Sequence, residues 1–148
     1  MSEIRTILLA EDNPKDVELT LEAMAENNLA NQVVVVKDGV EALEYLRCEG
    51  KYKFRKGGNP ALILLDIKMP RMDGIEVLRH IRSDAALKRI PVVILTSSRE
   101  EKDLINTYDL GVNAYVVKPV RFQQFIEAVK QIGSFWAVLN ELPPEGGL

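Results

Sequence analysis

The sequence predicts an α/β protein built on a parallel sheet. Three observations carry that expectation. Short apolar runs alternate along the chain with amphipathic stretches, the pattern of repeated β-α units. The runs are apolar throughout instead of alternating with polar residues, as required when helices cover both faces of a sheet. Cap and turn residues separate the two kinds of segment. No internal repeat or low-complexity tract interrupts the pattern.

Each element has its own signal. Ile7-Leu8-Leu9-Ala10 reads as a buried strand. Asn13-Pro14 supplies an N-cap followed by proline at the first helical position. Val17, Leu21 and Met24 recur at helical spacing, so a helix follows. Val33 to Val36 is a β-branched run, hence a second strand. Asp38-Gly39 opens the next helix, with Ala42, Leu43 and Leu46 on one face. A polar loop from about Gly50 to Pro60 is rich in Lys, Arg and Gly.

Ala61 to Leu65 is the third strand. Asp73-Gly74 marks a turn, and Ile75 to Arg82 suits a helix. Val92 to Leu95, after Pro91, is the fourth strand. Ser98 can cap a helix whose first turn carries Glu100 and Glu101, which suit the positive end of the helix dipole. Gly111 is its expected C-cap. Ala114 to Val117 is the fifth strand. Phe122, Phe125, Ile126, Val129 and Ile132 define a long final helix, expected to run through Trp136 to about Leu139.

Length and composition bound the function. At 148 residues the chain suits one domain of about 150 residues, large enough to fold without disulfides or metal. The expectation is one domain over 1–148, including a C-terminal extension at about 133–148, with no room for an effector domain. The balance of 19 basic and 22 acidic residues leaves a net charge of −3. That argues against broad nucleic-acid binding. Cys48 has no internal partner, which suits a reducing compartment and so the cytoplasm. Met1 to Arg5 lacks the long apolar stretch expected of a signal peptide. The apolar runs are far below the ~20 residues a membrane span needs.

Ligands of open parallel sheets bind beyond the carboxyl ends of the strands. Glu11 and Asp12 follow the first strand, Asp66 the third, Thr96 the fourth and Lys118 the fifth. One edge of the sheet therefore receives carboxylates, a hydroxyl and an ammonium. Carboxylates gathered there would repel one another, and a hard divalent cation resolves this. Mg²⁺, or Mn²⁺ in its place, takes oxygen ligands and leaves sites for water and phosphate. Asp12 and Asp66 are candidate ligands, with Glu11 acting through water and the Lys68 backbone carbonyl as a further ligand. Asp66 is a candidate nucleophile, since carboxylates form aspartyl-phosphate intermediates. The cation and Lys118 would neutralise the transferring group, and Thr96 can donate its hydroxyl to it. Singly, an acidic pair is most often a solvated loop and a strand-end Asp a helix cap. Each falling just past a different apolar strand is what carries the reading.

These residues resemble the receiver domain of bacterial two-component response regulators. The matching pieces are Leu8 to Asn13, Leu64 to Pro70, Met72-Asp73-Gly74, Leu95-Thr96-Ser97, Gly111 to Tyr115 and Lys118-Pro119. The resemblance covers about Ile4 to Ile132. It implies a flavodoxin-like (βα)5 three-layer sandwich, its five-stranded parallel sheet in the order 2-1-3-4-5, with an extended last helix. It implies that Asp66 accepts a phosphoryl group from a histidine kinase, that Glu11 and Asp12 place Mg²⁺, that Thr96 senses the phosphate and that Lys118 pairs with it. Tyr115 matches the family's switch aromatic. Thr96 drawn inward would let Tyr115 rotate, changing the surface of the fourth helix, fifth strand and last helix. The Lys51 to Gly58 loop, the tail beyond Ile132 and Met69 to Gly74 are similar to single-domain regulators that partner cyanobacterial phytochromes.

Other features have plainer readings. The basic loop with Tyr52 and Phe54 suits nucleic acid only superficially, and a solvated loop fits the acidic total better. His80 is expected on the surface, and Cys48 as a half-buried structural thiol. Lys68 and Ser98, two residues past Asp66 and Thr96, occupy positions that the family uses to tune phosphoryl lifetime. Gly133 costs a helix about 1 kcal/mol relative to alanine. Phe125, Phe135, Trp136, Val138 and Leu139 are a candidate dimer or partner surface; the expected partners are a second copy of the chain (a homodimer) and, separately, an unidentified downstream protein, with no direct DNA binding and no membrane contact.

Rival readings are a pseudo-receiver acting only as an interaction module, an aspartate-nucleophile phosphatase and a flavin carrier. The first is disfavoured because Glu11, Asp12, Asp66, Thr96 and Lys118 are all present. The second needs an acid two residues past the nucleophile, where Lys68 stands. The third needs a phosphate-cradling loop where Glu11-Asp12 lies. The expected protein is a phosphoacceptor, not a turnover enzyme.

Overall fold

The computed structural model describes residues 6–26, 33–56, 58–107 and 109–131. Five strands, β1 (Ile7–Ala10), β2 (Val33–Val36), β3 (Leu62–Asp66), β4 (Val92–Thr96) and β5 (Ala114–Val117), alternate with five helices. These are α1 (Pro14–Ala25), α2 (Gly39–Arg47), α3 (Gly74–Ser83), α4 (Arg99–Thr107) and α5 (Phe122–Gln131). The strands form one sheet in the order β2-β1-β3-β4-β5, and every pairing is parallel. Asp66 lies opposite Leu95, and Thr96 opposite Val117. The flavodoxin-like expectation and its strand order hold.

The pleat divides the apolar strands between two cores. Leu8, Ala10, Ile63, Leu65, Val92 and Ile94 face one side with α2, α3 and Ile105 of α4. Ile7, Leu9, Leu62, Leu64, Val93 and Leu95 face the other with α1 and α5. Period-2 alternation thus operates with apolar residues on both faces, which makes three layers.

The caps act as their residue types require. Asn13 Oδ1 accepts from the amides of Lys15 and Asp16, Asp38 from that of Glu41 and Asp73 from that of Glu76. Several boundaries differ from expectation. β3 and β4 each include the polar residue at their end, because the parallel ladder continues to Asp66. α4 stops at Thr107 instead of reaching Gly111, as Asp109 already takes a left-handed φ of 50°. Cys48 is the left-handed C-cap of α2, half-buried and free.

The loop after α2 is more ordered than a solvated loop. Gly50–Tyr52 is a 3-10 turn. The Tyr52 hydroxyl donates to Glu41 at 2.8 Å, and the Arg55 guanidinium lies 4.2 Å from the Tyr45 ring centre. Phe54, 82% exposed, is the part that matches the expectation.

Phe125 requires a correction. It is fully buried in the α5-side core, one helical turn from Val129, and so is no part of a partner surface. Phe135, Trp136, Val138 and Leu139, and the expected helix extension to Leu139, lie outside the described residues.

Candidate functional site

The carboxyl ends of β1, β3, β4 and β5 converge on a cleft of about 350 Å³. Glu11, Asp12, Asn13, Asp16, Asp66, Lys68, Ser97, Glu101 and Lys118 line it together with Pro14. Short connections bring them there. Glu11 directly follows β1, and its amide donates to Val36 O, which anchors it beside β2. Asp66 is the last residue of β3, and Lys118 follows β5 with its amide on Thr96 O at 2.7 Å.

The start of α3 presses on the Asp66 backbone. The Gly74 amide donates to Ile67 O at 2.8 Å. A Cβ at Gly74 would lie 2.3 Å from Asp66 O, so only glycine permits this approach. Gly39 plays the same part for the following loop, as a Cβ there would meet Met72 O at 2.2 Å.

Lys118 is the electrostatic centre. Its Nζ donates to Asp66 Oδ1 at 3.1 Å, Asp16 Oδ2 at 3.2 Å and Glu11 Oε1 at 3.3 Å. Burial lowers its pKa, but Asp66 and Glu11 outweigh that and hold it above the ordinary lysine value. Glu11 is 1% exposed. Burial, then repulsion from Asp66, pushes it up to about 7 against the pull of Lys118. Asp66 is likewise raised by burial, with Lys118 opposing. One ammonium therefore serves several crowded carboxylates.

Ligand atoms of Glu11, Asp12 and Asp66 all lie within 4.8 Å of one another. Two of these groups are buried, and Asp12 opens the cluster to solvent. The set is all oxygen and under-neutralised, which fits a hard divalent cation. Lys68, an exposed side chain, lies at the same cleft.

Thr96 is 1% exposed at the end of β4, one residue past Leu95, which pairs with Asp66 on β3. Tyr115 lies two residues before Val117, the partner of Thr96. Its hydroxyl donates to Asn106 Oδ1, and Lys102 Nζ stands 5.0 Å from its ring centre. The aromatic thus rests against α4. His80 is exposed on α3, with Nδ1 3.4 Å from Arg47.

The sequence-derived residues Glu11, Asp12, Asp66, Lys68 and Lys118 line one cleft, whereas Thr96, which directly precedes the lining residue Ser97, does not. Asn13 and Pro14 were read only as the start of a helix, and Asp16, Ser97 and Glu101 were given no place in the site. Asp16 carried a usable signal, an acid in the first turn of the helix that follows β1. Glu101 was read only as favouring the helix dipole. In fact its carboxylate accepts from Ser97 N–H and Oγ–H at 2.9 and 2.8 Å. Burial raises its pKa, but the Ser97 bonds and Lys68 prevail and hold it below the usual carboxylate range.

Comparison with known proteins gives a consistent result. The family profile described as "Response regulator receiver domain" matches residues 7–130. Response regulator Rcp1 of Synechocystis sp. is 38% identical over 139 residues, which cover 94% of this chain and 93% of Rcp1. Its Mn(2+)-bound crystal structure has a TM-score of 0.69, with 39% identity over 89% of this chain and 94% of that one. The bacteriophytochrome response regulator AtBRR has a TM-score of 0.88, with 58% identity over 95% of this chain and 100% of that one. The phosphorylated cyanobacterial phytochrome response regulator RcpA has a TM-score of 0.72, with 46% identity over 91% and 95%.

Proposed function

The chain belongs to the response regulator receiver domain family, and from that premise we propose that Asp66 accepts a phosphoryl group from a phytochrome-type histidine kinase. The observation that carries the reading is the contact of Asp66 Oδ1 with Lys118 at 3.1 Å, inside a carboxylate cluster with donor atoms within 4.8 Å. Homology to phytochrome response regulators supports the choice of kinase.

In the transfer, an Asp66 oxygen attacks the phosphorus of a phosphohistidine. The new O–P bond forms as the N–P bond breaks. The imidazole leaves with the electron pair and recovers a proton, and the protein gains an acyl phosphate. Lys118 holds its ammonium beside Asp66 Oδ1, positioned to offset charge on the phosphoryl oxygens. Gly74 lets α3 approach the backbone of the nucleophile closely, where a Cβ would collide with Asp66 O. Mg²⁺ held by Glu11, Asp12, Asp66 and the Lys68 carbonyl would add positive charge where phosphoryl oxygens gather. The Mn(2+)-bound state of Rcp1 supports a divalent ion of this kind.

The output is a change of the α4-β5-α5 surface. Thr96 is the phosphate sensor, and Tyr115, resting on Asn106 and Lys102 of α4, is the element that responds. The protein is a phosphoacceptor of the cytoplasm, not a turnover enzyme. No helix among the described residues is long and apolar enough to cross a membrane. A homodimer through Phe135, Trp136, Val138 and Leu139 accompanies this reading. A monomeric solution mass with and without phosphorylation contradicts that part.

The test is incubation with a small phosphodonor and Mg²⁺. Wild type takes up label, whereas Asp66→Asn takes up none. Uptake that survives the substitution, or fails in wild type, overturns the assignment. Chelating the metal abolishes wild-type uptake on the same account.

A further inference from the structure

Glu101, on the first turn of α4, has no part in the transfer described above, yet it reaches into the same cleft. Its side chain is 13% exposed, and Lys68 Nζ stands 3.6 Å from its Oε2. The carboxylate also takes both the backbone N–H and the hydroxyl of Ser97. An amide, a hydroxyl and an ammonium converging on one anion make the donor set a phosphoryl group also seeks.

A capping box accounts for only half of this geometry. In that motif the N-cap serine accepts from the N3 amide, and the N3 glutamate accepts from the amide of the N-cap residue. The first bond is present, Glu101 N–H to Ser98 Oγ at 3.3 Å. The second is displaced by one residue, onto Ser97 N–H. Ser97 directly follows Thr96, and β4 pairs Leu95 with Asp66. The displacement therefore places the carboxylate on a backbone donor at the end of the strand adjoining Asp66.

We propose that Glu101 is a built-in competing anion, which in the unphosphorylated chain occupies Ser97 and Lys68, the donors that phosphoryl oxygens on Asp66 would otherwise recruit. Phosphorylation displaces the carboxylate and frees the first turn of α4, which links occupancy of Asp66 to the helix that carries the output surface. The inference rests on Asp66 as the acceptor.

The test is titration of the full chain with beryllofluoride, a small phosphoryl mimic, in the presence of Mg²⁺. Glu101→Ala is expected to bind it about tenfold more tightly than wild type, the scale of one charge-assisted hydrogen bond. Glu101→Gln, a weaker acceptor that still serves the cap, falls between the two and carries the test if the alanine variant does not fold. Hydrogen exchange at the Ser97 amide gives a second readout. It is faster in Glu101→Ala than in wild type before the mimic is added, and equal afterwards. Unchanged or weaker binding in both variants, with wild type binding normally, overturns the inference and leaves Asp66 as the acceptor. Failure of wild type to bind the mimic or take up label removes the Asp66 assignment, and the inference with it.

Discussion

Two glutamates buried beside lysines are driven in opposite directions by their surroundings. Glu41 on α2 accepts from Lys37 N–H at 2.9 Å and from the Tyr52 hydroxyl at 2.8 Å, and pairs with Lys51 at 2.6 Å. Burial pushes its pKa up, but those donors, Lys51 foremost, bring it below the usual value. Glu11 shares Lys118 with Asp16 and Asp66 and is pushed up to about 7, by burial first and then by Asp66. The first carboxylate is saturated and pins the loop after α2. The second is left short of positive charge. Such a deficit, at the carboxyl ends of the strands, marks a place prepared for a ligand.

Variants can sharpen the contrast. The largest stability effect is expected at Gly74→Ala, where the new Cβ would collide with Asp66 O. Overpacking of this kind costs about 1–3 kcal/mol, and phosphoryl uptake should fall with it, as read by denaturation and labelling of the same sample. Glu41→Gln should lose about 1–2 kcal/mol, because it weakens bonds to a charged acceptor. Glu11→Gln should do the opposite in metal-free protein at mildly alkaline pH. It relieves repulsion and gains on the order of 1 kcal/mol, while Mg²⁺ binding weakens. Loss of metal-free stability in Glu11→Gln equal to that in Glu41→Gln would break the comparison.

The pH dependence follows from the sign of the Glu41 shift. Its folded pKa is depressed, so the folded chain binds fewer protons there than the unfolded chain. The contribution is complete above the ordinary value of 4.5 and disappears as pH falls through the lower folded value. Urea melts of wild type and Glu41→Gln should therefore differ at neutral pH and converge in acid. The smallest effect is expected at Phe54→Ala. That side chain is 82% exposed, and its removal should change stability by no more than about 0.5 kcal/mol.

Much of the fold could be read from local patterns. The apolar runs gave β1, β2 and β5 their observed limits, since a buried parallel strand needs little beyond apolar side chains. The ends of β3 and β4 were less visible, because Asp66 and Thr96 look like loop residues until ladder pairing is known. α4 was overextended for a similar reason. Gly111 has the expected left-handed φ of 69°, but Asp109 turns the chain first. The site was legible where a side chain ends a strand or directly follows one, as with Asp66 at the end of β3 and Glu11 and Lys118 just past β1 and β5. Asp16 and Glu101 approach the cleft from helices, and only packing shows which way their side chains point. The same limit explains Phe125, whose helical spacing suited a core face or a partner face until packing decided it.

Locating the phosphoryl group tests the central claim most directly. Wild-type protein labelled in the presence of Mg²⁺ can be treated with borohydride, which reduces an acyl phosphate to an alcohol, and then mapped by peptide mass spectrometry. The account predicts that reduction occurs at Asp66 alone. Modification at Asp12 or Asp16, or at no carboxylate of a labelled chain, would contradict it.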